Sequence, residues 1–172
     1  TGLFVKLCNQ KGIQTMGIDF SKIAIKIARK LESNCYHKDF LKDISDSHFN
    51  IITMFDVLEH LINPSAFLKR AYGALKKNGM LTINVPDMEW ASIVLVQSCR
   101  GSFGSSPVFN TPRKIMEIFY GNQDHEGEYH KAGFTEGILR DDLTETGFSR
   151  IRIKKIYDNH DMRCLISTAL KL

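Results

Sequence analysis

Apolar positions recur along the chain in two rhythms that take turns. Leu3, Phe4, Leu7 and Cys8 stand at helical spacing with Gly12 beyond them as a stop, so residues 1–10 read as a helix. Residues 15–19 are a short buried strand ending in Asp19. Ser21 is placed to cap the next helix, whose Ile23, Ile27 and Leu31 fall on one face. A weaker strand over 35–39 ends in Asp39, and a strong, β-branched one over 49–55 is bounded by Asp56. Asn63-Pro64-Ser65 opens a helix with Phe67, Leu68, Ala71 and Leu75 inward, and Asn78-Gly79 is its expected left-handed stop. Residues 80–85 form a strand that Pro86-Asp87 ends.

From Trp90 to Tyr129 the pattern loosens into short helices on either side of a loop near 101–107. A helix over 136–146 closes at Gly147, and strands over 150–157 and 164–171 flank the turn 158–161. So short a connection makes those two strands antiparallel. Helix and strand alternate through the first two-thirds, which predicts an α/β fold. Its expected form is a doubly wound, Rossmann-like, mostly parallel sheet with an antiparallel C-terminal strand.

Composition narrows this picture. A hydrophobic share of 43% and a charged share of 24% exclude a disordered tail or a collagen-like repeat. The 172 residues fit one domain at roughly 100–200 residues per domain. The apolar run over 91–96 falls far short of the ~18 residues that span a bilayer. The net charge of +4 is spread along the chain. Its densest run, Arg150-Ile151-Arg152-Ile153-Lys154-Lys155, alternates as the wet face of a half-buried strand does. No aromatic platform interleaves with it, so nucleic acid is not an expected partner. The 4 cysteines form no close pair, which suits a reducing cytoplasm.

In sheets of this kind ligands sit outside the carboxyl ends of the strands. Asp19, Asp39 and Asp56 all close strands. An acid ending a strand about 20 residues after a glycine turn is well placed to accept hydrogen bonds from ribose hydroxyls, and Gly2 precedes Asp19 at about that spacing. Each aspartate alone serves equally well as a helix cap. Together they favour a nucleoside ligand.

The motifs Thr1-Gly2-Leu3-Phe4, Gly17-Ile18-Asp19-Phe20-Ser21 and Phe55-Asp56-Val57-Leu58-Glu59-His60-Leu61, with Asn63-Pro64 following, resemble class I S-adenosylmethionine-dependent methyltransferases. The likeness is nearest to the branch with "LEH" after its fourth strand, which includes small-molecule and sugar methyltransferases. Lys76-Lys77-Asn78-Gly79-Met80-Leu81 is similar to that family's helix-to-strand turn. The resemblance implies that Gly2 ends a glycine-rich loop beside the methionine part of the cofactor. It implies that Asp19 holds the ribose diol with Phe20 beside the adenine, and that Asp39 receives the adenine amino group with Phe40 near the ring. Met54 and Phe55 would line the pocket below the sulfonium, and S-adenosylhomocysteine would be the product. The first strand and the opening glycines of the loop are absent, so the single domain 1–172 is read as N-terminally incomplete. Roughly 10–40 residues are expected before Thr1.

Methyl transfer to a hydroxyl asks the protein to align the acceptor and remove its proton, and histidine is the natural base near neutral pH. His60, just past a strand end, and His130 are the candidates, with His125 near the latter in a segment, 88–130, expected to cover the acceptor. A zinc-protease reading of this His-Glu run fails because Tyr129 stands where the second histidine would be. No acidic and histidine residues stand at metal-ligand spacing, so no metal is expected. The expected reaction is O-methylation of a sugar or glycosylated metabolite. The alternatives are N-methylation of an amino sugar, O-methylation of a quinone-type phenol, an incomplete nucleotide-binding domain, or a nicotinamide-dependent dehydrogenase. The last should lack both the "LEHL" run and the antiparallel final strand.

Overall fold

The structure is a computed structural model that describes residues 2–101, 111–123, 126–157 and 162–172. Its helices and strands alternate as the hydrophobic rhythm requires, in two compact units, residues 1–45 and 46–172. No helix among the described residues is long and apolar enough to cross a membrane.

In the first unit, strands β1 (Gly17–Asp19) and β2 (Cys35–His37) pair in parallel. Helices α1 (Leu3–Gln10) and α2 (Lys22–Lys30) accompany them. Ser21 caps α2 as expected, its hydroxyl accepting from the Ala24 N–H at 3.2 Å. The buried face of α2 is not the expected one. Ile25 and Ala28 are its buried residues, whereas Ile23 is 74% exposed and Ile27 45%. Likewise Val5, not Leu3, Phe4 or Leu7, is the buried residue of α1. The reason is local: Val5, Ile25, Ala28 and Cys35 make one small core, so each helix turns its smaller or branched positions toward the short strands.

The second unit holds strands β3 (Phe49–Phe55), β4 (Leu75–Pro86), β5 (Ser149–Tyr157) and β6 (Arg163–Leu170) in the order β3-β4-β6-β5. β3 and β4 are parallel, and β6 runs antiparallel to both β4 and β5. Parallel pairings among the strands before the last two and antiparallel pairings through β6 make the mixed sheet arrangement of the expected α/β, Rossmann-like fold. The antiparallel last strand is where the sequence put it, although its turn at 158–161 lies outside the described residues. Alternate β4 residues Leu81, Ile83 and Val85 are fully buried, each contributing about 1.5–3 kcal/mol of hydrophobic stabilisation.

Helix α3 (Pro64–Ala74) starts at Asn63, whose side chain accepts from the Ala66 N–H. It ends at Ala74, earlier than the Asn78-Gly79 stop. Leu75 is buried as a strand residue opposite Phe49, and the partner of Ile51 is already Met80. Residues 76–79 therefore form an irregularity at the start of β4. Asn78 does adopt the left-handed conformation, at φ 62°, but it serves this bulge and not a helix end. Helix α6 (Glu136–Thr146) closes on Gly147 at φ 103°.

Helices α4 (Met88–Cys99) and α5 (Pro112–Tyr120) bracket the expected loop, which past Gly101 falls outside the described residues. Trp90, Ala91, Val94, Ile115 and Ile118 join them in a separate core. Asp87, fully buried, caps α4 through the Glu89 and Trp90 N–H groups and pairs with Arg163 Nε at 2.8 Å. The cations of β5 point outward as read: Arg152 and Lys154 are exposed and Ile151 and Ile153 half-buried between them.

Candidate functional site

The chemistry of the second unit gathers past the carboxyl ends of β3 and β4. The chain leaves β3 through Asp56, held at φ 53° with its N–H on the Asn84 carbonyl at 3.1 Å. Its carboxylate accepts from the Asn84 amide at 3.2 Å. A single turn of 3-10 helix, Leu58–His60, follows. Leu58 is fully buried in that turn, and the next side chain, Glu59, is also inside at 1% exposure.

A second segment is laid onto this turn by backbone bonds. The N–H groups of Lys131 and Ala132 donate to the Glu59 carbonyl at 2.6 and 3.0 Å. The His130 N–H donates to the Tyr120 carbonyl at 3.1 Å, which ties the segment to the end of α5. Gly121 allows that crossing: at φ 76°, it lies where a Cβ would run into the Glu128 carbonyl.

The result brings both expected histidines together. Their ring centroids are 4.9 Å apart at 69°. His60 Nδ1 lies 3.2 Å from the Tyr129 carbonyl, and His130 Nδ1 lies 2.8 Å from the Ile118 carbonyl. A carbonyl only accepts, so each Nδ1 carries the hydrogen, and in the neutral ring the lone pair is on Nε2. Burial holds the half-buried His130 below the usual histidine range, with a smaller push from His60 against the opposing effects of the Ile118 carbonyl and Asp56. It is therefore a neutral base at pH 7.

Glu59 is the residue the sequence reading passed over. Burial, with Asp56 nearby, pushes its carboxyl up to about 8 even though its own backbone N–H favours the charged form. Its Oε2 has no hydrogen-bond partner among the described residues. One ligating atom each from Glu59, His60 and His130 lies within 4.8 Å of the others. The expectation of no metal rested on spacing along the sequence, whereas the fold brings these three residues together. Sequence spacing hid the set, because the turn at 58–60 and the strap at 129–132 meet only in the fold. An acid beside a histidine in the otherwise apolar "VLEHL" run was the available signal.

The residues assigned to a nucleoside are placed as follows. Asp19 ends β1, and one of its oxygens accepts from the Ser21 N–H at 2.7 Å, leaving the other for a ligand. Phe20 is 78% exposed, and His37 Nε2 fixes its carbonyl at 2.9 Å. Asp39 lies beyond the end of β2 and is occupied by its own turn. It accepts from the Leu41 N–H and pairs with Lys42, interactions that hold its carboxyl below the usual range. Phe40 beside it is half-buried. Gly2 caps α1 at φ 85°, and a Cβ there would meet that of Ala28 at 2.7 Å. Packing against α2 thus demands glycine at this position by itself. In the second unit Met54 is buried on β3 and Phe55 is 42% exposed at its end. His125 lies outside the described residues.

Comparison with known proteins bears on the family and the fold. A family model described as "Methyltransferase domain" matches residues 1–149. A ubiquinone biosynthesis O-methyltransferase from Idiomarina loihiensis is 27% identical over 100 residues, 52% of this chain and 41% of that protein. Its namesake from Glaesserella parasuis is 39% identical over 85 residues, covering 42% and 36%. The matched stretch thus spans less than half of these relatives. Among solved structures, a methyltransferase from Thermotoga maritima aligns at a TM-score of 0.67 and 16% identity, over 97% of this chain and 77% of that one. The Burkholderia thailandensis 1,6-didemethyltoxoflavin-N1-methyltransferase, solved with S-adenosylhomocysteine bound, aligns at 0.66 and 14%, over 99% and 66%. At such identities these structures speak for a shared fold.

Proposed function

The chain belongs to the methyltransferase-domain family, and from that premise we propose that it transfers a methyl group from S-adenosylmethionine to a hydroxyl of a small molecule, first a sugar or glycosylated metabolite. S-adenosylmethionine supplies a methyl carbon already activated by its sulfonium. The residues need only hold it, align the acceptor oxygen and take the acceptor's proton.

The donor set suits such a cofactor in part. The uncommitted oxygen of Asp19 can accept from the ribose hydroxyls, and the exposed Phe20 ring offers a face to the adenine. Asp39 and Phe40 are the weaker contacts, since both Asp39 oxygens already serve its own turn. Gly2 is held by its packing against α2, and its assignment to the cofactor rests on the family resemblance alone. Met54 and Phe55 close β3, the strand whose carboxyl end leads into the acceptor-side chemistry. Residues 88–130, with α4 and α5, are read as the acceptor-side cover.

The observation that carries the hydroxyl reading is the pair of adjacent imidazoles, each with its Nδ1–H tied to a carbonyl. Each then presents a basic Nε2 that a weakly acidic alcohol needs. His130 is the preferred base, because its burial keeps it neutral, and His60 positions the acceptor beside it. A second reading, a quinone-type phenol, draws support from the name shared by the curated relatives. A phenol, being far more acidic than an alcohol, needs the imidazoles less.

The test presents the protein and S-adenosylmethionine with a monosaccharide panel, a panel of hydroxylated quinones and an amino-sugar panel, and reads methylated product by mass spectrometry. Product from sugar hydroxyls is expected. Product from the phenols alone would move the proposal to its second reading, and product from amines alone would overturn the hydroxyl assignment.

A further inference from the structure

We propose that Glu59, His60 and His130 form a binding site for a divalent first-row transition ion, with Zn²⁺ the best-suited occupant. The ligand types are those of a transition-metal site open to one more ligand: one carboxylate and two imidazoles.

Three independent observations point the same way. One ligating atom from each residue already lies within 4.8 Å of the others. Each histidine donates its Nδ1–H to a backbone carbonyl, that of Tyr129 for His60 and that of Ile118 for His130. Such partners fix the tautomer and ring orientation of metal-bound histidines, and they leave the Nε2 lone pairs to the ion. Glu59, at 1% exposure, has an Oε2 with no hydrogen-bond partner among the described residues. A buried oxygen without a partner carries a desolvation cost, and a bound cation removes its cause.

Tetrahedral Zn²⁺ at ~2.0–2.2 Å from its ligands sets them about 3.4 Å apart. Binding therefore requires the three side chains, which already stand together, to close to that spacing. Asp56 adds a negative charge that acts on both Glu59 and His130, which favours a cation. The fourth position is left for water or for an oxygen of the acceptor. There the ion would lower the pKa of a bound hydroxyl and so take over from His130, whose Nε2 it occupies; this consequence rests on the methyl-transfer reading, whereas the binding itself does not.

The full chain, stripped with EDTA and dialysed, is titrated with ZnCl₂ by calorimetry and with CoCl₂ by visible absorption. Neither S-adenosylmethionine nor an acceptor is present, so failure here leaves the methyl-transfer reading standing. One ion per chain is expected, with a Co²⁺ spectrum of nitrogen and oxygen ligation. Glu59→Gln, His60→Asn and His130→Asn should each weaken binding by tenfold or more, while His48→Asn, at an exposed position, should not. The asparagines retain a donor toward the Tyr129 and Ile118 carbonyls, so the strap keeps its anchors. The wild-type spectrum tests the ligand set without any variant. No saturable binding, affinity unchanged in the three variants, or a thiolate band that reports cysteine ligation would each overturn the proposal.

Discussion

Replacing Glu59 with Gln should remove most of the pH dependence of stability between pH 5 and 8. In the ion-free protein the carboxyl titrates near 8 instead of its ordinary 4.5, chiefly because burial disfavours its charge. A folded-state pKa above the unfolded one means that the native state holds a proton that the unfolded chain releases. The stabilisation is whole below pH 4.5 and is lost as pH rises toward 8. At ~1.36 kcal/mol per pH unit this amounts to a ceiling of about 5 kcal/mol. That is a large part of the roughly 5–15 kcal/mol typical of a domain, so some water entry will reduce it. Gln keeps the volume and polarity but does not titrate. Urea unfolding with EDTA present, followed through the fluorescence of the chain's 1 tryptophan, gives both stabilities across pH 5–8.5. The wild type should lose about 2–5 kcal/mol relative to Glu59→Gln over that range. Parallel stability curves for the two proteins would refute the claim that a buried, neutral acid sits under the two histidines.

Three further outcomes follow from other parts of the structure. His130→Asn should lower kcat for methyl transfer by about 10²–10⁴-fold, the usual share of a general base, with the melting temperature little changed. A matching loss in KM alone would assign the residue to acceptor binding. Gly2→Ala should destabilise the protein by about 1–2 kcal/mol for the left-handed backbone alone, and by more for the clash with Ala28, in denaturant titrations. Asp87→Ala strips the cap of α4 and leaves Arg163 without its buried partner, so about 3 kcal/mol should be lost; Asp87→Asn, which still caps, should lose less.

The strands were the legible part of this fold. The 49–55 run of β-branched and apolar residues, the capping Ser21, and the Arg-Ile alternation of β5 each carry their own local cause, and each is found in place. Helix faces were less legible, because Ile23 and Ile27 satisfy helical periodicity as well as Ile25 and Ala28 do. Packing of Ile25 and Ala28 with Val5 and Cys35 decides between them in the fold. The boundary between α3 and β4 was misplaced because Leu75 is apolar at the right spacing for either element, and its pairing with Phe49 decides. The site was half legible. His60 and His130 were found through their chemistry, but a carboxyl becomes a site residue through burial, and Glu59 is buried where residues 131 and 132 are laid onto its turn. Clusters joined by a strap far along the chain have no spacing rule to betray them.

Calorimetric titration with S-adenosylhomocysteine, alongside a nicotinamide dinucleotide, tests the central claim most directly. Saturable binding of S-adenosylhomocysteine at one per chain is predicted, weakened about 10- to 100-fold in Asp19→Asn, as expected when a charged hydrogen-bond acceptor is neutralised. Tight binding of the nicotinamide dinucleotide with no heat from S-adenosylhomocysteine would contradict it.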